Sequence, residues 1–149
     1  MNSPNVLGKS LLLLGLLIGP GLALAAVPAG APNAGAPYSA KGADTCLSCH
    51  EGPEVNDVFH TAHAQPNDAR TPFGKGGLQC EACHGPGGNH AKRVKKGETR
   101  PSVITFGRDD KTPVGVQNAM CLGCHEKSQA AQWHVGPHAV KRVPCAACH

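Results

Sequence analysis

The sequence Cys-x-x-Cys-His occurs four times, at Cys46–His50, Cys80–His84, Cys121–His125 and Cys145–His149, and these copies use all eight cysteines of the chain. In a helical turn the first cysteine, the second three residues on, and the histidine one further share a face. Two thiols so placed can each add to one vinyl group of a haem, and the imidazole that follows then lies under the iron. The pattern predicts four covalently bound c-type haems (Fe). Their thioethers come from Cys46, Cys49, Cys80, Cys83, Cys121, Cys124, Cys145 and Cys148, and their proximal ligands are His50, His84, His125 and His149.

Other uses of the same residues fit less well. A zinc site takes four ligands from cysteine and histidine, and each motif supplies only three. A thioredoxin-like dithiol predicts one Cys-x-x-Cys beside a βαβ pattern, not four in a chain with almost no strand signal. No serine, aspartate or glutamate falls into a nucleophile or paired-carboxylate arrangement, so no catalytic residue is assigned.

Each iron needs a sixth ligand. Of nine histidines, the five outside the motifs are His60, His63, His90, His134 and His138. Met1 belongs to the N-terminal leader, and Met120, adjacent to Cys121, is poorly aimed at its own iron. Bis-histidine ligation follows, and the absence of a methionine ligand implies low-potential haems. His63, His90 and His138 are the expected distal ligands; His60 and His134 are further candidates. His63 is expected in a short amphipathic helix with Val58 and Phe59. His60, three residues earlier, would share its face. His90 is expected to open a helix after a glycine turn.

The elements that position these groups are short. Between Ala26 and His149 only 17 of 124 residues are Leu, Ile, Val or Phe, about 14%, in the range of chains too poor in apolar side chains to fold alone. Four porphyrins would supply the missing apolar surface. The expected fold is a multihaem cytochrome c: a mostly irregular chain with short α-helices wrapped around a haem stack and little or no β structure. Thr45 or Asp44 is expected to cap the first motif helix and Asn118 the third, with turns at Gly85–Gly88, Lys75–Gly77 and Thr112-Pro113. Motif spacings are too irregular for a solenoid repeat.

Residues 1–25 read as a cleaved export leader: Lys9, an apolar run from Leu11 to Ile18, a Gly19-Pro20-Gly21 break and an Ala23-Leu24-Ala25 cleavage site. An uncleaved anchor is the alternative, though the apolar stretch is short for a span and interrupted by glycine and proline. Residues 26–41 are Ala/Pro/Gly-rich and read as a flexible tether, leaving 42–149 as the tetrahaem region. Export to the periplasm fits haem attachment outside the bacterial cytoplasmic membrane. The formal charge of +4 would be reversed by eight haem propionates, so the basic balance does not point to nucleic acid. The run Lys92, Arg93, Lys95 and Lys96 is a solvated face or a patch for an acidic redox partner.

Several strings together resemble one family. Asp68-Ala69-Arg70-Thr71-Pro72-Phe73, the continuous Cys80-Glu81-Ala82-Cys83-His84-Gly85-Pro86-Gly87-Gly88-Asn89-His90, Ile104-Thr105-Phe106-Gly107, Gln117-Asn118 and Trp133–His138 resemble the N-terminal half of periplasmic decahaem cytochromes of the DmsE/MtrA type. The resemblance covers Cys46 to the end and favours His63, His90 and His138 as distal ligands. It implies electron relay between a periplasmic or inner-membrane quinol-oxidising cytochrome and an outer-membrane β-barrel with an external cytochrome or terminal reductase, in anaerobic or extracellular respiration. It also implies a location in the periplasm in association with the outer membrane. Relatives carry ten motifs, so the chain is expected to be part of a longer protein; a small soluble tetrahaem shuttle is the alternative. A multihaem reductase acting on nitrite, hydroxylamine or a sulfur oxyanion would need one iron with an open position, and no variant motif marks one here.

Overall fold

The structure, a computed structural model, describes residues 27–128 and 130–149. The expected leader at 1–25 lies outside the described residues. Among the described residues there are short helices and no strands: α1 (Ala43–Leu47), α2 (Pro53–Asn56), α3 (Glu81–His84), α4 (Val114–His125) and α5 (Pro137–Val140), with 3-10 turns at Asp57–His60, Ala62–Ala64, Trp133–Val135 and Cys145–Ala147. No helix among them is long and apolar enough to cross a membrane. The chain is mostly irregular, punctuated by helices of about one turn and by the twelve-residue α4.

The side-chain core is as small as the composition requires. Ala31, Ile104 and Val116 form its centre, with Val27, Phe106 and Met120 packed partly buried against it. Ile104, with no exposed surface, is the only large aliphatic side chain fully enclosed among the described residues. Polar side chains occupy as much of the interior: Asn33, Glu81, Thr112, Gln117 and Asn118 are all buried. Each holds a backbone segment that has no regular ladder to satisfy it. Gln117 illustrates the rule. Its Oε1 accepts from Gly107 N at 3.0 Å, and its Nε2 donates to Gly107 O at 3.0 Å and Thr112 O at 2.8 Å, pinning the 107–112 loop onto α4.

Several local expectations need correction. The segment from 27 to 40 does not behave as a tether. It makes turns at Pro28–Ala31, Ala31–Ala34 and Asn33–Ala36, puts Ala31 into the core, and lies across the second motif as a strap. Asn33 Nδ2 donates to His84 O (2.8 Å) and Pro86 O (3.0 Å), and Gly88 N donates to Pro37 O (2.9 Å). Gly88 is required there, since a Cβ would come within 2.5 Å of the Pro37 carbonyl oxygen. Neither Thr45 nor Asp44 caps α1; Gly42 holds that position. Asn118 lies in the middle of α4, which starts after Pro113, and its amide is used across the fold instead. His60 and His63 do not share a helix face, because Thr61 is extended (φ −104°, ψ 167°) and separates two 3-10 turns. His90 sits in a turn and opens no helix.

Candidate functional site

Every motif closes as one helical turn. His50 N donates to Cys46 O (3.0 Å), His84 N to Cys80 O (3.0 Å) and His149 N to Cys145 O (3.3 Å), and His125 completes the last turn of α4. In each motif the first cysteine is half-buried and the second exposed, and all eight thiols are free. These thiols stand in for the thioether sulfurs of a haem-loaded chain. Burial, with the neighbouring Cys80 next in weight, pushes the Cys46 thiol up to about 11; burial and then Cys145 do the same for Cys121. Cys83 is raised too, chiefly by the protein around it and then by Cys124 and Cys80. The first cysteines of motifs one and two therefore adjoin, as do those of motifs three and four, and the second cysteines link motifs two and three.

Amide side chains fasten the same pairs. Gln79, just before the second motif, accepts through Oε1 from Ala43 N at the start of α1. Asn118, just before the third, accepts through Oδ1 from Cys145 N (2.8 Å) and donates through Nδ2 to Val143 O (3.0 Å).

The histidines are arranged across these pairs. The rings of His50 and His90 lie 6.3 Å apart between centroids with 21° between planes. His63 and His125 stand 5.9 Å apart with planes at 87°. A metal–imidazole bond of ~2 Å on each side, with about 1 Å more to each ring centre, places two trans imidazoles about 6 Å apart. Both separations are what two imidazoles sharing one metal would give. Among the described residues no three His, Cys, Asp or Glu side chains converge on one point.

The segment after Arg100 orients two of these rings. His90 Nδ1 donates to Pro101 O and His84 Nδ1 to Ile104 O, both at 2.7 Å, which leaves each Nε2 with its lone pair for a metal. Arg100 Nη1 donates to His90 O and to Lys92 O, Ile104 N donates to His84 O (3.1 Å), and the Phe106 ring meets His84 edge-on at 5.3 Å. Pro101 and Ile104 act through backbone carbonyls, for which the sequence carries no signal. His134 is different. Its Nε2 is 2.6 Å from Glu126 Oε1, so the nitrogen a metal would need is already engaged. His138 packs beside Trp133 at 6.4 Å; its ring and that of His60 have no hydrogen-bond partner among the described residues.

The family model described as "Cytochrome c-type protein NrfB-like" matches residues 80–149. The chain is 42% identical over 113 residues to "Multiheme cytochrome MtrA" of Shewanella baltica (strain OS185), covering 75% of this chain and 32% of that protein. It is 28% identical over 123 residues to "Cytochrome c-type protein NrfB" of Haemophilus influenzae, covering 70% of this chain and 52% of that one. The chain thus spans about a third and about half of the lengths of these curated relatives. No solved structure gives a significant match. The haem-attachment motifs and both relatives make this a haem-binding chain. The chain is a multihaem c-type cytochrome of the MtrA type.

Proposed function

We propose that the chain relays electrons along four six-coordinate, bis-histidine c-type haems in the periplasm. The eight motif cysteines hold the haems, and His50, His84, His125 and His149 are the proximal ligands. His90 is the distal ligand of the first-motif iron and His63 of the third. His138 and, as the further candidate, His60 serve the other two. The observation that carries this reading is the pair of trans-spaced imidazoles, His50/His90 and His63/His125, each joining a motif histidine to a histidine from a distant part of the chain.

Bound haem supplies a one-electron Fe(III)/Fe(II) couple; the protein sets the spacing, keeps water off the irons and tunes potentials through burial and hydrogen bonds to the ligands. The contacts between motifs one and two, two and three, and three and four support a continuous path. The likeness to MtrA supports a place beside an outer-membrane porin-cytochrome conduit, with a quinol-oxidising cytochrome as donor. The exposed run Lys92, Arg93, Lys95 and Lys96, directly after His90, suits an acidic redox partner approaching the first-motif end.

Two measurements on the exported protein test the reading. Intact mass after extraction of non-covalent haem is expected to show four retained haems and an N-terminus near Ala26. The reduced protein is expected to bind no carbon monoxide. Fewer than four covalent haems would overturn the count; stoichiometric carbon monoxide binding would replace relay by a reductase with an open iron.

A further inference from the structure

Glu81 is the residue that the relay does not account for. It occupies the second position of the second motif, in the same helix as Cys83 and His84, and is only 5% exposed. Its carboxylate accepts three hydrogen bonds: from Ser39 N (2.9 Å) and Gly87 N (2.6 Å) at Oε1, and from Ser39 Oγ (2.7 Å) at Oε2. All three donors are neutral, and no cation lies within ion-pair distance among the described residues. Neutral donors satisfy the carboxylate oxygens and leave its charge uncancelled. A buried charge of this kind is normally paired, because desolvation is costly and screening is weak inside the protein.

We propose that Glu81 is a potential-setting residue of the second-motif haem, its uncompensated carboxylate favouring the ferric state. The proposal rests on the relay reading. An oxidised bis-histidine haem core carries one net positive charge and its reduced form none. Reduction of the bound haem by one electron would remove that charge with no proton moved, and a buried carboxylate in the helix that carries Cys83 and His84 would favour the charged, ferric state. The charge of Glu81 therefore opposes that reduction, and the strap from 27 to 40 is the device that holds the carboxylate buried.

The test is an optical redox titration of the complete, haem-loaded protein and its Glu81→Gln variant. The glutamine preserves volume and one acceptor while removing the charge. One of the four midpoint potentials is expected to rise so that its reduction equilibrium shifts at least tenfold, about 59 mV for one electron, with smaller changes at the other three. Ser39→Ala removes a donor but keeps the charge, so it is expected to leave that potential unchanged or lower. Ser39→Lys, which sets an ammonium against the carboxylate, is expected to raise it, and keeps the sign readable if Glu81→Gln fails to retain its haem. Four unmoved potentials in Glu81→Gln, or an equal rise in Ser39→Ala, would overturn the proposal. Failure of the relay reading would show separately, as carbon monoxide binding by the unmodified protein.

Discussion

Replacing Asn118 by alanine should detach the fourth motif from the third without disturbing the first two. Asn118 is buried in α4, and among the described residues the Cys145 amide has no other acceptor than its Oδ1. Losing that acceptor leaves a backbone N–H unsatisfied, at about 1–3 kcal/mol, and losing the Nδ2 bond to Val143 O adds about 0.5–1.5 kcal/mol. Alanine recovers about 0.5 kcal/mol through its better helix propensity. A net local loss of roughly 1–4 kcal/mol corresponds to about five- to several-hundred-fold less protection of the Cys145 amide, at ~1.4 kcal/mol per tenfold. Native-state hydrogen exchange on the haem-loaded protein reads this directly. The Gly85 and Ile104 amides, bonded to Glu81 O and His84 O, serve as internal controls. Asn118→Asp keeps the acceptor for Cys145 but sets a carboxylate against the Val143 carbonyl, so its effect is expected to be intermediate. Protection at Cys145 unchanged within about twofold in Asn118→Ala would refute the reasoning. So would an equal loss at Gly85, which would mean that the pairs open together.

Other outcomes follow from the same geometry. The near-parallel rings of His50/His90 and the perpendicular rings of His63/His125 should give one rhombic low-spin EPR signal and one strongly anisotropic signal with a large maximal g value, and His63→Ala should abolish the second while opening an iron to carbon monoxide. If His63→Ala left the anisotropic signal intact, the pairing would be wrong. His134→Ala should leave every iron six-coordinate, because its Nε2 already faces Glu126; a new high-spin signal would contradict this. Gly88→Ala should force the strap off the Pro37 carbonyl, seen as faster limited proteolysis between 27 and 40 at an overall cost of about 1–3 kcal/mol. Asp68, held by hydrogen bonds from the Arg70 side chain and amide, has its carboxyl lowered to about 2. Its contribution is therefore present above the ordinary carboxylate range and lost as pH falls through about 2. The Arg70 amide shift should titrate there, and a midpoint near 4 would refute the pairing.

The helical closure of each Cys-x-x-Cys-His motif was legible because that register is a helical turn wherever it occurs, and the aliphatic shortage forecast a chain with little core of its own. What organises that chain was not legible. Asn118 reads as a cap from sequence because an amide near a helix start suits that role, whereas its partners at 143 and 145 can be known only from the fold. The strap was hidden by its composition: alanine, proline and glycine suggest flexibility, yet Asn33 and Ser39 carry the contacts that fix it. The break at Thr61 depends on one extended residue, and nothing in Phe59-His60-Thr61-Ala62-His63 announces it. Pro101 and Ile104 orient ligand rings through carbonyls, a role that any residue type could fill.

The strap also imposes an order on how the molecule is made. Asn33 reaches its partners 51 and 53 residues later in the chain, and Ser39 reaches Glu81 across 42. A chain emerging from its N-terminus presents the strap before anything exists for it to hold. The first motif lies inside that loop and the second closes it, so cofactor can be joined to both while the cradle is still open. The earliest residues to appear are thereby among the last to settle, and their closure registers that the second motif has arrived.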